Sequence, residues 1–185
     1  MNDSIALFLH IVGALGFFMA LGLEQASLIY LRRATLVEQA RDWLDVFSSL
    51  RRLGPISLVV ILLSGFYLMA ASLGWTAWII VALVAMVLIA AIGGAVAGPR
   101  MGAMEKMVAK ESGMVSSALQ QQLRNPLFSI SMQVRSAIAL GIVFLMTAKP
   151  DLAGSLITLG IAIVIGLVAA LPALRFILVQ RGMEI

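Results

Sequence analysis

Apolar residues run through this chain in long stretches separated alternately by polar segments and by the shortest of turns. A membrane-spanning helix needs about 20 mostly apolar residues, and five stretches qualify: residues 5–30, 55–73, 75–97, 128–148 and 152–179. The pattern predicts an all-α fold, a polytopic membrane helical bundle of about five transmembrane helices forming one domain over residues 1–185. The third span is expected to stop at Gly98-Pro99-Arg100, and Pro172 to bend the fifth. The fourth is the least apolar, because Gln133 and Arg135 lie inside it. Segments 31–54 and 98–127 are long and polar, whereas Gly74 and Lys149-Pro150-Asp151 barely make turns. Spans two and three, and spans four and five, are therefore read as tight hairpins.

The long connections carry a pattern of their own. Val37, Ala40, Leu44, Phe47 and Leu50 recur at three- and four-residue spacing, one face of an amphipathic helix. Such a helix either lies on the lipid surface or extends the first span. Met101, Met104, Val108, Val115 and Leu119 repeat the pattern more weakly, with Gly113 as an interruption. The thioethers of Met101, Met104 and Met107 also suit copper(I), although methionine commonly packs the apolar side of an interfacial helix.

Composition fixes the solvent. Apolar residues make up 62% of the chain and charged residues 12%, with a mean hydropathy of +1.06, against about a quarter charged in a soluble domain. Lipid is the solvent that such a surface requires. Cysteine is absent, which excludes disulfides, thiolate metal sites and cysteine nucleophiles. With His10 the one histidine, a multi-histidine metal centre within one chain is excluded as well.

The net charge of +4 and pI near 10.1 find their explanation in topology. Arg32, Arg33, Arg41, Arg51, Arg52, Arg100, Lys106, Lys110, Arg124, Arg175 and Arg181 all fall on one side of the five spans. Lys149 alone falls on the other, and Arg135 lies within a span. Under the positive-inside rule the N-terminus is expected outside and the C-terminus in the cytoplasm of a multi-pass protein of the bacterial inner membrane. No nucleic-acid partner is expected. Met1-Asn2-Asp3 lacks a basic leader and the first apolar stretch exceeds a signal peptide's core, so the first span is read as retained.

Lipid gives apolar helices no hydrophobic reason to associate, so small residues at helical spacing mark close packing. Gly13, Gly16 and Ala20 form such a stripe, as do Ala90, Gly94, Gly98 and Gly102. Ala137 and Gly141, reached through Ser129 and Gln133, form a third, and Ala162, Gly166 and Ala170 a fourth. These stripes fit a compact bundle, a homo-oligomer or a larger membrane complex.

The polar residues inside spans hold the candidate chemistry. His10 and Glu24 lie about 40° apart around the first helix, hence on nearly one face with Gly13, Ala14, Phe17 and Leu21. One reading makes His10 a neutral imidazole bonded to a carbonyl or hydroxyl, with Tyr67, Ser72, Thr147 and Thr158 near its depth. Another makes it a haem b ligand, with Met69 or Met146 as the second axial ligand. Glu24 and Arg135 are read as a buried ion pair completed by Gln133 or Ser136, and Gln133 and Tyr67 as further polar positions on helix stripes. No nucleophile elbow and no glycine-rich phosphate loop stands out, so the catalytic residues are unassigned.

Phe8-Leu9-His10-Ile11-Val12-Gly13 resembles the opening of a broad group of small bacterial membrane proteins, a histidine followed closely by small residues. Ser64-Gly65-Phe66-Tyr67-Leu68-Met69, Gly98-Pro99-Arg100 and Phe144-Leu145-Met146-Thr147-Ala148-Lys149-Pro150 add to the likeness. Together they look like an uncharacterised bacterial integral-membrane family, a domain of unknown function, over most of the chain. More distantly, the first-helix histidine is similar to that of copper-resistance protein D-like membrane domains and of haem-binding membrane protoporphyrinogen oxidases. What this second resemblance implies for the chain is a ligand role for His10 alone.

Three functions follow as expectations: a non-catalytic accessory or assembling bundle, a haem-binding or redox protein centred on His10, and a small transporter or channel lined by His10, Glu24, Gln133 and Arg135.

Overall fold

A computed structural model describes residues 2–123 and 125–182, with side chains for all of these except residues 49, 50, 72, 73, 97 and 173–182. Arg124 and the side chains of Leu50, Ser72, Arg175 and Arg181 therefore lie outside the described residues. Among the described residues eight α-helices follow one another: α1 (Asn2–Arg33), α2 (Val37–Leu50), α3 (Leu53–Leu68), α4 (Ala77–Ile92), α5 (Gly98–Val108), α6 (Ser117–Leu123), α7 (Pro126–Ala148) and α8 (Leu152–Gly182). Five helical runs are long and apolar enough to cross a membrane, Asn2–Arg33, Val37–Ala71, Ala77–Val108, Ser117–Ala148 and Leu152–Pro172, which makes this a multi-pass membrane protein. The helices group into two compact units, Met1–Thr76 with Val108–Val115, and Ala77–Met107 with Ser116–Ile185.

In the first unit α1 packs antiparallel along α3 and α2 in turn. A side chain at Gly13 would meet Ile61, one at Gly16 would meet Ser57, and one at Gly54 would meet Ala20. Farther along, the rings of Tyr30 and Trp43 stack at 4.2 Å. The register is constant: each step along α1 is matched by an equal step back along the partner helix, straight through the Arg51–Arg52 turn. The predicted amphipathic face is the packed one, with Val37, Ala40 and Leu44 buried and Phe47 half-buried. Thus α2 lines the second half of α1 as its partner, instead of prolonging it.

That register also sets a level along α1. The apolar run of α3 begins just after Arg51 and Arg52, which are exposed, and their level on α1 is residues 21–23. About 20 residues of α1, some 30 Å, then match the apolar half of the hairpin. The remaining turns of α1 pair with α2.

At the far end of this hairpin the backbone forms a small clip. Val37 donates to the Gly113 carbonyl at 2.9 Å and Val115 to that of Thr35 at 3.0 Å, an isolated antiparallel bridge between Leu36 and Met114. Gly113, at φ 83°, turns the chain into it. The Gln39 side chain reaches back to the Thr35 and Leu36 amides at 3.2 and 3.4 Å, satisfying donors at the start of α2. Arg41 donates to the Val108 carbonyl at 3.2 Å.

In the second unit α7 packs against both α8 and α4, and α8 also meets α4. Asn125 caps α7 by accepting from the Leu127 amide at 3.0 Å, with Pro126 in the first turn where a missing N–H costs nothing. Lys149 ends α7 in the left-handed conformation (φ 48°), and Asp151 caps α8 through the Gly154 amide at 2.8 Å. Two caps around one proline thus make the tight turn that the sequence predicts. A side chain at Gly141 would lie 3.0 Å from Ala162, and one at Gly166 would lie 2.6 Å from the Val134 backbone. The small residues of the fourth and fifth spans therefore do set the closeness of this helix pair.

Gly98-Pro99-Arg100 does not end the helix of the third span. A π turn over Gly93–Ala97 leads into α5, and the Gly98 amide reaches back five residues to the Gly93 carbonyl. The wider turn relieves the clash between a proline ring and the preceding turn. It also restores the helix's buried face. Ile89 and Met101, both buried, are twelve residues apart and would lie about 120° apart on an unbroken α-helix; one inserted residue brings them to about 20°. Trp78, Ala82, Ala85 and Ile89 of α4 and Met101 and Met104 of α5 thereby share one buried face.

Candidate functional site

His10 is half-buried on α1, two turns from the start of the helix. Its Nδ1 lies 3.1 Å from the Ile61 carbonyl and 3.2 Å from the Ser64 hydroxyl, both on α3. The carbonyl can only accept, so Nδ1 carries the proton and the neutral ring keeps its lone pair on Nε2. Ser64 spends its own proton on the Val60 carbonyl at 2.6 Å, which leaves its oxygen to accept from the imidazole. Gly65 supplies the room, because a side chain there would meet the ring at 3.2 Å. Among the described residues nothing bonds Nε2, nor is that atom enclosed by protein.

The imidazole thus bonds a carbonyl and a hydroxyl on a neighbouring helix, but Ser64 provides the hydroxyl, not Tyr67, Ser72, Thr147 or Thr158. Tyr67 is exposed and donates to Asp3 at 3.4 Å, two turns nearer the N-terminus of α1 than the histidine. Ser57 and Ser64, buried seven residues apart, are the polar positions that sequence reasoning passed over. Their spacing, two helical turns along an otherwise apolar span, was the signal available.

Glu24 is buried, on the face of α1 that also buries Phe17, Leu21, Ser27, Leu28 and Leu31. The constant register sets it opposite residues 49–50, just past the level of Arg51 and Arg52. It therefore belongs to the polar edge of the first unit, not to the apolar half that holds His10. Arg135 is half-buried on α7, with its guanidinium 3.2–3.3 Å from where a Gly93 side chain would sit. The glycine at the head of the π turn makes space for that group. Gln133 is half-buried two residues earlier, and its backbone carbonyl faces the Gly166 notch. Met69 is buried in the first unit and Met146 half-buried in the second. In the run read as thioether ligands, Met101 and Met104 are buried and Met107 half-buried.

Among the described residues no three His, Cys, Asp or Glu side chains gather around a point where a metal ion would sit. An anchored Nδ1 with a bare Nε2 is the arrangement that metal-ligating histidines adopt, so His10 fits one axial bond to haem iron. No family model, curated protein or solved structure matches the chain.

The small-residue stripes divide into two kinds. Gly13, Gly16, Gly141 and Gly166 each face a packed neighbour within their own unit. Ala90, Gly94 and Gly98 are exposed, a side chain at Gly94 or Gly102 would meet nothing within 4 Å, and one at Gly98 would meet only its own helix. The third span's stripe, which fits packing within a bundle or contact with another helix, therefore meets no neighbouring helix within its own unit at Gly94 and Gly98 among the described residues. The face on which it lies also exposes Ile80, Val84 and Val87.

Proposed function

We propose that this chain is a non-catalytic, assembling helical bundle of the bacterial inner membrane, N-terminus outside, which joins another transmembrane helix through the open face of its third span. The observation that carries this reading is the contrast between stripes. Small residues in a spanning helix weaken its contact with lipid and favour close approach of a second helix. In this chain the first, fourth and fifth spans use them for that purpose within a unit, while Ala90, Gly94 and Gly98 are exposed and, among the described residues, a side chain at Gly94 would meet nothing within 4 Å. The concentration of arginine and lysine on the long connections supports the orientation.

The test is steric. Gly94→Ile has free space around it, so the chain's own fold is expected to persist, with an unchanged melting temperature. The mass of the complex isolated in a mild detergent, measured by light scattering, is expected to fall. An equal mass for Gly94→Ile and the parent chain contradicts the reading.

A further inference from the structure

Past the π turn the open face of the third span continues into α5, where charge joins the small residues. Around α5, counted at about 100° per residue from Gly98, Gly102 lies at about 40°, Glu105 at about −20° and Lys106 at about 80°. The two glycines therefore run between a carboxylate on one edge of the face and an ammonium on the other. Met101 and Met104, at about −60° and −120°, are buried beyond the carboxylate's edge. Lys106 is exposed and Glu105 half-buried. One carboxylate oxygen of Glu105, Oε1, is enclosed and has no hydrogen-bond partner among the described residues. A shielded carboxylate oxygen without a donor is costly, so Glu105 gains from a cation brought to its edge. Lys106 of the same chain cannot be that cation, because successive residues on a helix do not face each other.

We propose that the helix docking on the third span is the third span of a second copy of this chain, related by a twofold axis along the membrane normal. The inference rests on the assembly reading and names its partner. Two copies inserted in the same sense run their third spans parallel, with the same residues at the same depth. Opposite edges of the two faces then meet, as flanking positions do in a parallel two-stranded coil. Glu105 of each copy thus comes to Lys106 of the other, and the symmetry makes the contact twice. Nearer the middle of the membrane, the exposed Ala90, Gly94 and Gly98 let the two backbones approach.

The experiment captures one tagged copy of the full chain in mild detergent and measures how much of a second, differently tagged copy comes with it. The parent chain is expected to capture its second copy. Glu105→Lys sets two cations at each contact and Lys106→Glu two carboxylates, so each variant is expected to capture its own kind about tenfold less. Expressed together, the two variants restore opposite charges at both contacts. They are expected to capture each other as well as parent chains do, which also shows that both are folded. Self-capture that ignores the single substitutions, or no recovery in the mixture, overturns the proposal. If no second copy is captured but the mass of the complex still falls in Gly94→Ile, the second copy is overturned and the assembly reading stands with another partner. A mass of one chain, unchanged by Gly94→Ile, overturns both.

Discussion

Gly166→Val is expected to break the α7–α8 pair and to cost more stability than any other single substitution considered. A β-carbon at residue 166 would sit 2.6 Å from the Val134 Cα and 3.0 Å from the Gln133 carbonyl oxygen. Both obstacles are backbone, so no rotamer change on α7 relieves them and the helices must move apart. Overpacking costs about 1–3 kcal/mol when side chains can yield, and here the expected loss is about 3 kcal/mol or more. Separation of α7 from α8 also loosens Gly141 from Ala162, two turns along the same contact. The comparison is Gly160→Ala, six residues away on α8, where an added methyl meets nothing within 4 Å. Its expected effect is within about 0.5 kcal/mol. Unfolding of both variants in mixed detergent micelles checks the pair, and a Gly166→Val chain as stable as Gly160→Ala contradicts the packing described.

The second large effect is conditional on a partner. At Gly16 an added β-carbon would lie 2.6 Å from the Ser57 hydroxyl oxygen but 3.6 Å from the Ser57 β-carbon, an ordinary contact. Gly16→Ala alone is therefore expected to lose about 1–2 kcal/mol. Ser57→Ala removes the obstructing oxygen, and the double variant is expected to recover most of that loss. A coupling of about 1 kcal/mol or more in the double-mutant cycle is the predicted signature. Additive losses would mean that α1 and α3 do not meet at this point.

The difference between the two sites also shows what the sequence made legible. Glycine and alanine at helical spacing identified where helices approach, and the contacts at Gly13, Gly16, Gly141 and Gly166 lie on those stripes. Spacing says nothing about what stands opposite. Whether Gly16 faces a serine oxygen, Gly166 a backbone or Gly94 open space depends on register, and register is a property of two helices together. The same limit explains His10. That an imidazole within a span needs a carbonyl or hydroxyl follows from solvation alone, yet choosing Ser64 over Tyr67 required knowing how α1 and α3 align.

The extents of the helices were harder to read. Hydropathy saw the polar connections as ends of spans, because charge density rises there. In the structure α1 runs on past its apolar portion, and the chain from Ala77 to Val108 stays helical through Pro99. Proline is a stop signal in an ordinary α-helix. The π turn that removes its clash leaves no mark in composition beyond the glycines and alanines of Gly93–Ala97. Apolar residues on both sides of Glu24 likewise conceal, in the sequence alone, its alignment with residues 49–50 next to Arg51 and Arg52.

In the proposed assembly the third span meets another protein helix through the face carrying Ala90, Gly94 and Gly98. Since the chain contains no cysteine, Gly94→Cys places one thiol on that face, and a benzophenone maleimide attached there reports its neighbours on illumination in native membranes. Ile165→Cys, on the exposed side of α8, reports a lipid-facing position. The prediction is a discrete protein adduct, a doubled chain or a chain joined to a partner, from residue 94 and only lipid adducts from residue 165. Lipid adducts alone from both positions would contradict it.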